Sequence, residues 1–218
     1  MMKVLKSTIK YLDQETNVFC FVPEEIKLLA VFCHGYTADK SSILNWATRL
    51  AEVGCAVAIF DLPGHYLGNF SEVWDFEYFK NNAHKLFNSA YNELISISCI
   101  DSNHELKLVL GGHSLGAMLS LKASTLDEFN HLEKVIIGVG IGMAPKQVVH
   151  LFDTPFYKNT LDLRNQLVSK ALHSDNVFPW IKEEKEKVDV YNQRIHLITG
   201  VDDLVVGEDG MERFFEVL

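Results

Sequence analysis

The sequence GHSLG at residues 112–116 has residue types and a spacing that could do chemistry. It follows an apolar run, Leu106–Leu110, with the character of a buried strand, and a helical pattern resumes at Leu115. A serine on such a strand-to-helix turn is held in a strained conformation, and its hydroxyl projects clear of the sheet edge. Glycines two residues to either side let neighbouring backbone pass without a Cβ clash. We therefore predict that Ser114 is a nucleophile at the N-terminal, positive end of a helix.

The elements that must position Ser114 alternate between strand and helix. Two β-rich runs, Lys3–Leu12 and Thr16–Val22, predict an antiparallel hairpin at a sheet edge. Two near-continuous apolar runs are typical of parallel strands covered by helices on both faces. The predicted later strands are Ile26–Cys33, Cys55–Phe60, Leu106–Leu110, Lys134–Ile141 and Arg194–Gly200, and the predicted helices are Ser41 or Ser42 to Val53, Glu72–Ile97, Leu115–Leu126 and one from Asp209. This alternation predicts an α/β fold with a mostly parallel central sheet flanked by helices.

Residues 143–193 break the alternation. They have weak strand character, a charge run at Lys182–Lys187 that we interpret as the solvated face of a helix, and aromatic residues that look exposed: Phe152, Phe156, Tyr157 and Trp180. The segment is too long for a crossover and too apolar for a linker. We predict a small helical cap over the strand ends, where open α/β sheets bind ligands. The predicted organisation is a core of residues 1–142 and 194–218 with a cap insertion at 143–193.

Composition limits the class of protein and its partners. A chain of 218 residues with 48% hydrophobic residues suits one domain with a substantial core. The net charge of −9, with scattered Lys and Arg, argues against nucleic acid and anionic membranes as partners. No apolar run approaches the roughly 18 residues of a membrane span, and the start lacks the apolar core of a signal peptide.

The cysteine and histidine spacings indicate neither disulfides nor a metal site. The four cysteines have no C-x-x-C spacing, and at least three lie in apolar strand-like runs: Cys20, Cys33, Cys55 and Cys99. Buried free thiols in a reducing cytoplasm are the expectation. No two histidines form a helical i, i+4 pair beside a Glu, so no metal and no cofactor are predicted.

Four motifs in this order resemble the α/β-hydrolase fold. They are HGY at 34–36 after one strand, DLPGH at 61–65 after the next, GHSLG at 112–116 and GVDDLVV at 200–206. The stretch HGYTADKSS at 34–42 is most similar to small serine esterases related to dienelactone hydrolases and prolyl oligopeptidases. The resemblance covers about residues 26–218, with the cap poorly matched, and it is weakly specific to any substrate.

The resemblance implies a role for each motif. Ser114 would be the nucleophile of acyl transfer, and the backbone N–H groups of Leu115 and Tyr36 would form the oxyanion hole. His34 would brace the turn after its strand, and His65 would belong to a packed loop. The acid would be Asp203, which falls three residues after Gly200 where the family's acid usually lies; Asp202 is the alternative acid, and both aspartates could instead only cap the turn.

The triad histidine is the departure from the family pattern. It should follow Asp203 on a loop after one more strand, and no histidine follows His196. We expect the sequence to be an incomplete copy of a longer hydrolase. Two other accounts stay open: a histidine from elsewhere, such as His173 in the cap, fills the role, or the protein has lost catalysis and kept the pocket.

These features lead to three functional hypotheses. The first is a cytoplasmic serine hydrolase that cleaves a carboxylic ester or thioester of a small, largely apolar substrate through an acyl-enzyme on Ser114. The second is a non-catalytic small-molecule binder on a hydrolase scaffold, motivated by the missing histidine. The third is a protein-interaction module that uses the aromatic residues of the cap. The sequence leaves the substrate and the oligomeric state open.

Overall fold

The structure is a computed structural model that describes residues 2–11, 14–100, 106–143, 155–190, 192–201, 203, 205–206 and 209–218. Within these ranges the chain forms a seven-stranded sheet in the order β1-β2-β4-β3-β5-β6-β7. The strands are β1 (Lys3–Tyr11), β2 (Gln14–Val22), β3 (Leu28–Cys33), β4 (Cys55–Phe60), β5 (Leu108–His113), β6 (Lys134–Val139) and β7 (Arg194–Ile198).

The direction of pairing brings three strand ends to one edge. β1 and β2 form the predicted antiparallel hairpin at the edge of the sheet, and β2 joins β4 antiparallel. The pairs β3–β4, β3–β5, β5–β6 and β6–β7 are parallel. Because Cys33 pairs with Gly112 and His113 pairs with Val139, the carboxyl ends of β3, β5 and β6 meet beside Ser114. The mostly parallel sheet predicted from the apolar runs is confirmed.

Helices cover both faces of the sheet. They are α1 (Leu44–Glu52), α2 (Phe76–Asn82), α3 (Leu86–Ser98), α4 (Leu115–Ser124), α5 (Pro155–Asn165), α6 (Ser174–Lys185) and α7 (Gly210–Phe215). β4 is buried along its whole length because its alternate residues enter different cores. Ala56, Ala58 and Phe60 pack toward α3, while Val57 and Ile59 pack toward α1.

Two helix predictions are corrected. Asp39, rather than Ser41 or Ser42, caps the first helical segment: its carboxylate accepts from Ser41 N at 2.6 Å and starts a 3₁₀ turn at Lys40–Ile43 before α1. The single helix predicted over 72–97 is two helices, α2 and α3, separated by a 3₁₀ turn at Ala83–Lys85. At the break, the Asn82 side chain donates to the carbonyl of Tyr78 at 2.9 Å and competes with the helical backbone for that acceptor.

The described part of the predicted cap, residues 155–190, is called the cap segment below. Its α6 packs into the main core, and Trp180 lies 5.8 Å from Phe76 and 6.3 Å from Phe79 between ring centroids. Trp180 is only 5% exposed, so its interpretation as an exposed aromatic is wrong. The side chains of Phe152, Phe156 and Tyr157 lie outside the described residues. The division into a core of 1–142 and 194–218 and a cap at 143–193 stays a prediction.

The charge run of α6 is not wholly solvated either. Lys182, Glu183 and Lys187 are exposed, but Lys185 turns inward and donates to the Gly142 carbonyl. Burial lowers the pKa of Lys185 to about 8. A helix that packs on one side buries every third or fourth residue. A run of charged residues in the sequence does not indicate which of them face the core.

Candidate active site

Ser114 occupies the strained turn that the G-x-S-x-G spacing predicts. β5 ends at His113, α4 begins at Leu115, and Ser114 between them has φ 49° and ψ −109°. A positive φ is costly for a residue with a Cβ and persists only where the surroundings enforce it. Here Ser114 N donates to Val139 O at 2.8 Å, and Ser114 O accepts from Met118 N at 3.1 Å to open the helix.

Both glycines of the motif are required by the end of β3. A Cβ on Gly112 would lie 2.5 Å from the Cys33 carbonyl oxygen and 2.6 Å from the Gly116 carbonyl carbon. A Cβ on Gly116 would overlap the same Cys33 oxygen and lie 2.6 Å from His34 O. Because these neighbours are backbone atoms, they cannot rotate away, and the elbow crosses the adjacent strand only with glycine at both positions.

The loop after β3 contacts the elbow through Gly35. A Cβ there would lie 2.7 Å from His113 Nδ1 and 3.3 Å from His113 O. Tyr36 comes next in this loop, and Leu115 is the first residue of α4. In the described part of the chain, neither residue's N–H takes part in a loop or cap hydrogen bond. The oxyanion hole formed by Tyr36 N and Leu115 N stays a prediction, which this close approach supports.

His34 holds the loop after β3 against the loop after β4. Its Nε2 accepts a hydrogen bond from Leu62 N at 2.9 Å, so Nδ1 carries the proton and donates to Gly35 O at 2.8 Å. The ring is fully buried, and burial lowers its pKa to about 4. This geometry agrees with the bracing role expected of His34.

His65 is packed beside His34 in the same interior region. Its ring makes edge-on contacts with His34 at 5.3 Å and Tyr36 at 6.0 Å, and burial lowers its pKa to about 3. Nδ1 lies 3.2 Å from Pro63 O, whereas Nε2 has no hydrogen-bond partner among the described residues. His65 therefore has the packed-loop environment expected of it.

The two buried imidazoles should make folding stability depend on pH. His34 remains neutral in the folded chain down to about pH 4 and His65 down to about pH 3, whereas in the unfolded chain their pKa is about 6.5. The unfolded state then binds more protons, so stability should fall as pH drops below about 6.5, at up to about 1.4 kcal/mol per pH unit for each ring. Urea denaturation at pH 7, 6 and 5 measures this.

Two substitutions test whether the buried imidazoles cause that pH dependence of stability. His65→Gln should reduce the slope between pH 6.5 and 5, because one titrating group is gone. His34→Gln removes the other buried imidazole and should also reduce the slope. Equal stability of the unsubstituted chain at pH 7 and pH 5 would contradict the prediction.

Asp203 closes the loop after β7 with its carboxylate. Oδ1 accepts from Val205 N at 2.9 Å and Val206 N at 3.0 Å, and Oδ2 accepts from the Thr199 hydroxyl at 3.1 Å. Asp203 also acts on the elbow: burial lowers the pKa of His113, and the negative charge of Asp203 partly opposes this. Its assignment as the acid stays a prediction, and Asp202 lies outside the described residues.

The general base is the part of the site that the described residues do not supply. Among the described histidines, none hydrogen-bonds to Ser114 or Asp203. His173, the alternative considered from the sequence, caps α6, and its Nε2 lies 2.8 Å from Asn165 Nδ2. His196 is exposed on β7. His113 is the described imidazole nearest to Ser114 in the chain, and its ring lies between Gly35 and Gly140.

Two consecutive residues of α5 tie the cap segment to the loop after β3. The Tyr36 hydroxyl lies 3.0 Å from Asn165 Oδ1 and 2.8 Å from Leu172 O, which share its hydrogen. Asn165 Oδ1 also accepts from Ser174 N at 2.9 Å. Arg164 Nη1 donates to the Thr37 hydroxyl at 3.1 Å. Thr37 has φ 59°, so this contact falls on a residue whose backbone, like that of Ser114, has a strained conformation.

A cavity of about 650 Å³ opens between His113, the residue before Ser114, the loop after β3 and the cap segment. His113 and Gly35 line one part, Arg164 and Leu167 line another, and Trp46 and Leu67 add apolar walls. This volume lies within the range of small-molecule sites. Sequence reasoning missed Arg164, Asn165 and Leu67, because no local motif marks them.

The described residues contain no group of three or more His, Cys, Asp or Glu side chains placed to hold a metal ion. None of their helices has the length and apolar character that a bilayer crossing requires.

The sequence matches the family model described as the alpha/beta hydrolase family over residues 30–205, which is most of the 218-residue chain. The chain belongs to the alpha/beta hydrolase family. No match was found among curated protein sequences. The narrower resemblance of this hydrolase-family chain to the esterases related to dienelactone hydrolases and prolyl oligopeptidases stays a prediction.

Solved structures of low sequence identity share the fold of this hydrolase-family chain. A soluble variant of monoglyceride lipase from Saccharomyces cerevisiae is 14% identical with a TM-score of 0.61, over 91% of this chain and 77% of the lipase. A carboxyl esterase from Bacillus coagulans is 14% identical with a TM-score of 0.52, over 74% of this chain. The acylaminoacyl peptidase of Pyrococcus horikoshii is 13% identical with a TM-score of 0.59, over the whole chain. The matches span 48% of the esterase and 35% of the peptidase, less than two thirds of either protein.

Proposed function

We propose that this chain is a serine hydrolase that cleaves a carboxylic ester or thioester of a small, largely apolar substrate through an acyl-enzyme on Ser114. The observation that carries the proposal is the strained conformation of Ser114 between β5 and α4, at φ 49°. Backbone strain of this kind clusters at active sites, where it positions a reacting group. Three free thiols buried in the core, Cys20, Cys33 and Cys55, support action in the cytoplasm.

The proposed reaction has two acyl-transfer steps. Ser114 Oγ attacks the substrate carbonyl carbon, its proton passes to a base, and the alcohol or thiol departs with a proton. Water then attacks the acyl-serine and releases the acid, restoring the hydroxyl. In both steps negative charge develops on the carbonyl oxygen, which Tyr36 N–H and Leu115 N–H would stabilise. Asp203 would orient the base, and the predicted cap at 143–193 would enclose the acyl group.

The test is covalent labelling of Ser114 by a fluorophosphonate, read as a mass increase of the intact protein. One adduct on the unsubstituted chain and none on Ser114→Ala is the expected result. Ser89→Ala on α3, away from the elbow, is the matched control and should still be labelled. Turnover of an activated ester should fall by roughly 10³-fold or more in Ser114→Ala.

The second candidate function is a non-catalytic small-molecule binder that keeps the same cavity. The specific observation in its favour is that no described histidine hydrogen-bonds to Ser114 or Asp203. A serine without a base is a weak nucleophile. Absence of both the adduct and ester turnover, in a chain of the expected mass, would contradict the hydrolase proposal and favour the binder.

A further inference from the structure

Arg164 differs from the other three arginines of the chain in its partners. Arg49, Arg194 and Arg213 each pair with a carboxylate, at 3.0 Å from Glu52, 3.3 Å from Glu133 and 3.0 Å from Asp209. Arg164 lies in the wall of the cavity, and among the described residues its partner is the neutral Thr37 hydroxyl. A partly buried guanidinium without an anionic partner among the described residues bears part of the desolvation cost with no opposite charge to offset it.

The hydroxyl groups in the cavity wall donate their hydrogen bonds to acceptors within the protein. The Thr37 hydroxyl donates to Tyr36 O at 2.7 Å, and the Ser42 hydroxyl donates to Asp39 O at 2.7 Å. The Ser41 hydroxyl donates to the Asp39 carboxylate, which also caps Ser41 N and is the one acidic side chain among the described residues of the wall. Among the described residues Arg164 uses one of its five N–H groups, on Thr37, so it is a charged group of the wall that has donors left for a ligand.

The guanidinium is held in place before any ligand arrives. Its Nη1 is fixed on Thr37, and the neighbouring Asn165 is bonded to the Tyr36 hydroxyl, to Ser174 N and to His173 Nε2. Asn165 Nδ2 also lies 3.0 Å from the Ser174 hydroxyl. A planar, pre-oriented guanidinium is suited to two parallel hydrogen bonds with a carboxylate, a geometry that lysine cannot supply.

We propose that Arg164 binds a carboxylate carried by the substrate, so that the cavity takes an ester with an apolar body and one anionic end. This rests on the proposed function and names its substrate class. The apolar body would lie along Trp46, Leu67 and Leu167 in the same wall. Because the chain carries a net charge of −9, it repels anions in general, and a cation inside the cavity supplies the local attraction that such a substrate needs.

Binding to the Ser114→Ala chain tests this without requiring turnover. The probes are mono-p-nitrophenyl adipate and p-nitrophenyl hexanoate, which have six-carbon acyl chains and differ in the terminal carboxylate. We expect the adipate ester to bind about 10- to 100-fold more tightly, as a charged hydrogen-bonded pair provides. Adding Arg164→Gln should abolish this preference, because the affinity for the adipate ester falls to that for the hexanoate ester.

Lys170→Gln is the matched control, because it removes an equal charge from an exposed residue of the same cap segment. It should keep the preference for adipate. Equal binding of the two esters, or an equal loss of both in Arg164→Gln, would overturn the proposal and leave Arg164 as a brace for Thr37. If inorganic phosphate displaces the hexanoate ester, and Arg164→Gln prevents this displacement, Arg164 binds free anions. That result would also overturn the proposal. Fluorophosphonate labelling of Ser114 reports separately on the hydrolase proposal.

Discussion

Replacing Gly116 by alanine is expected to destabilise the chain by about 3 kcal/mol or more and to abolish labelling of Ser114. The new Cβ would overlap the carbonyl oxygen of Cys33 and lie 2.6 Å from both Cys33 C and His34 O. All three atoms are backbone at the end of β3, so relief requires α4 to move away from the sheet. That movement would displace Leu115 N–H and release the strained turn that projects Ser114.

Urea denaturation and fluorophosphonate labelling measure the two parts of this prediction. Gly138→Ala is the control, since it makes the same substitution in β6, where the new Cβ would lie 2.9 Å from the Ile141 Cγ2 methyl and 3.1 Å from the Leu197 Cδ2 methyl. Those side chains can shift, so a smaller loss of stability and retained labelling are expected. A Gly116→Ala chain with unchanged stability and full labelling would mean that the elbow does not need this close packing.

Replacing Asp61 by alanine is expected to cost about 3–5 kcal/mol of folding stability. Asp61 is fully buried at the end of β4, where Oδ2 pairs with Lys40 Nζ and Oδ1 accepts from Lys40 N at 2.8 Å. The substitution leaves a largely buried ammonium group and a backbone N–H without an acceptor. Because Lys40 follows the loop of Tyr36 and Thr37, the loss should also loosen the predicted oxyanion hole and slow labelling of Ser114.

An exposed ion pair nearby provides a comparison for the stability lost in Asp61→Ala. Glu52→Ala removes the partner of Arg49, whose side chain is 81% exposed, and should change the free energy of unfolding by less than about 1 kcal/mol. The double variant Lys40→Met, Asp61→Asn removes both charges and keeps an oxygen for Lys40 N, so it should recover part of the loss. A cost for Asp61→Ala as small as that for Glu52→Ala would show that the buried pair contributes little.

The elements of the fold are largely predictable because they depend on local spacing. The boundaries of β4 match the apolar run Cys55–Phe60, and β3 and β6 differ from their predicted ends by two residues. The helix boundaries that were predicted wrongly depend on side chains that hydrogen-bond to the backbone. The Asp39 carboxylate accepts a hydrogen bond from Ser41 N before the helix begins. The Asn82 side chain donates to the carbonyl of Tyr78 in the middle of a long amphipathic run.

The sequence by itself determined the elbow, since its glycines, its serine, the strand before and the helix after are consecutive in the chain. Only the tertiary structure decided what surrounds it. Arg164 and Thr37 are separated by 127 residues, and their contact depends on how α5 lies over the loop after β3. Trp180 likewise became a core residue only through packing on α2. The periodicity of a helix or strand is visible within a few consecutive residues. A cavity wall is assembled from segments that are distant in the chain, and the sequence of one segment does not indicate which other segment it will contact.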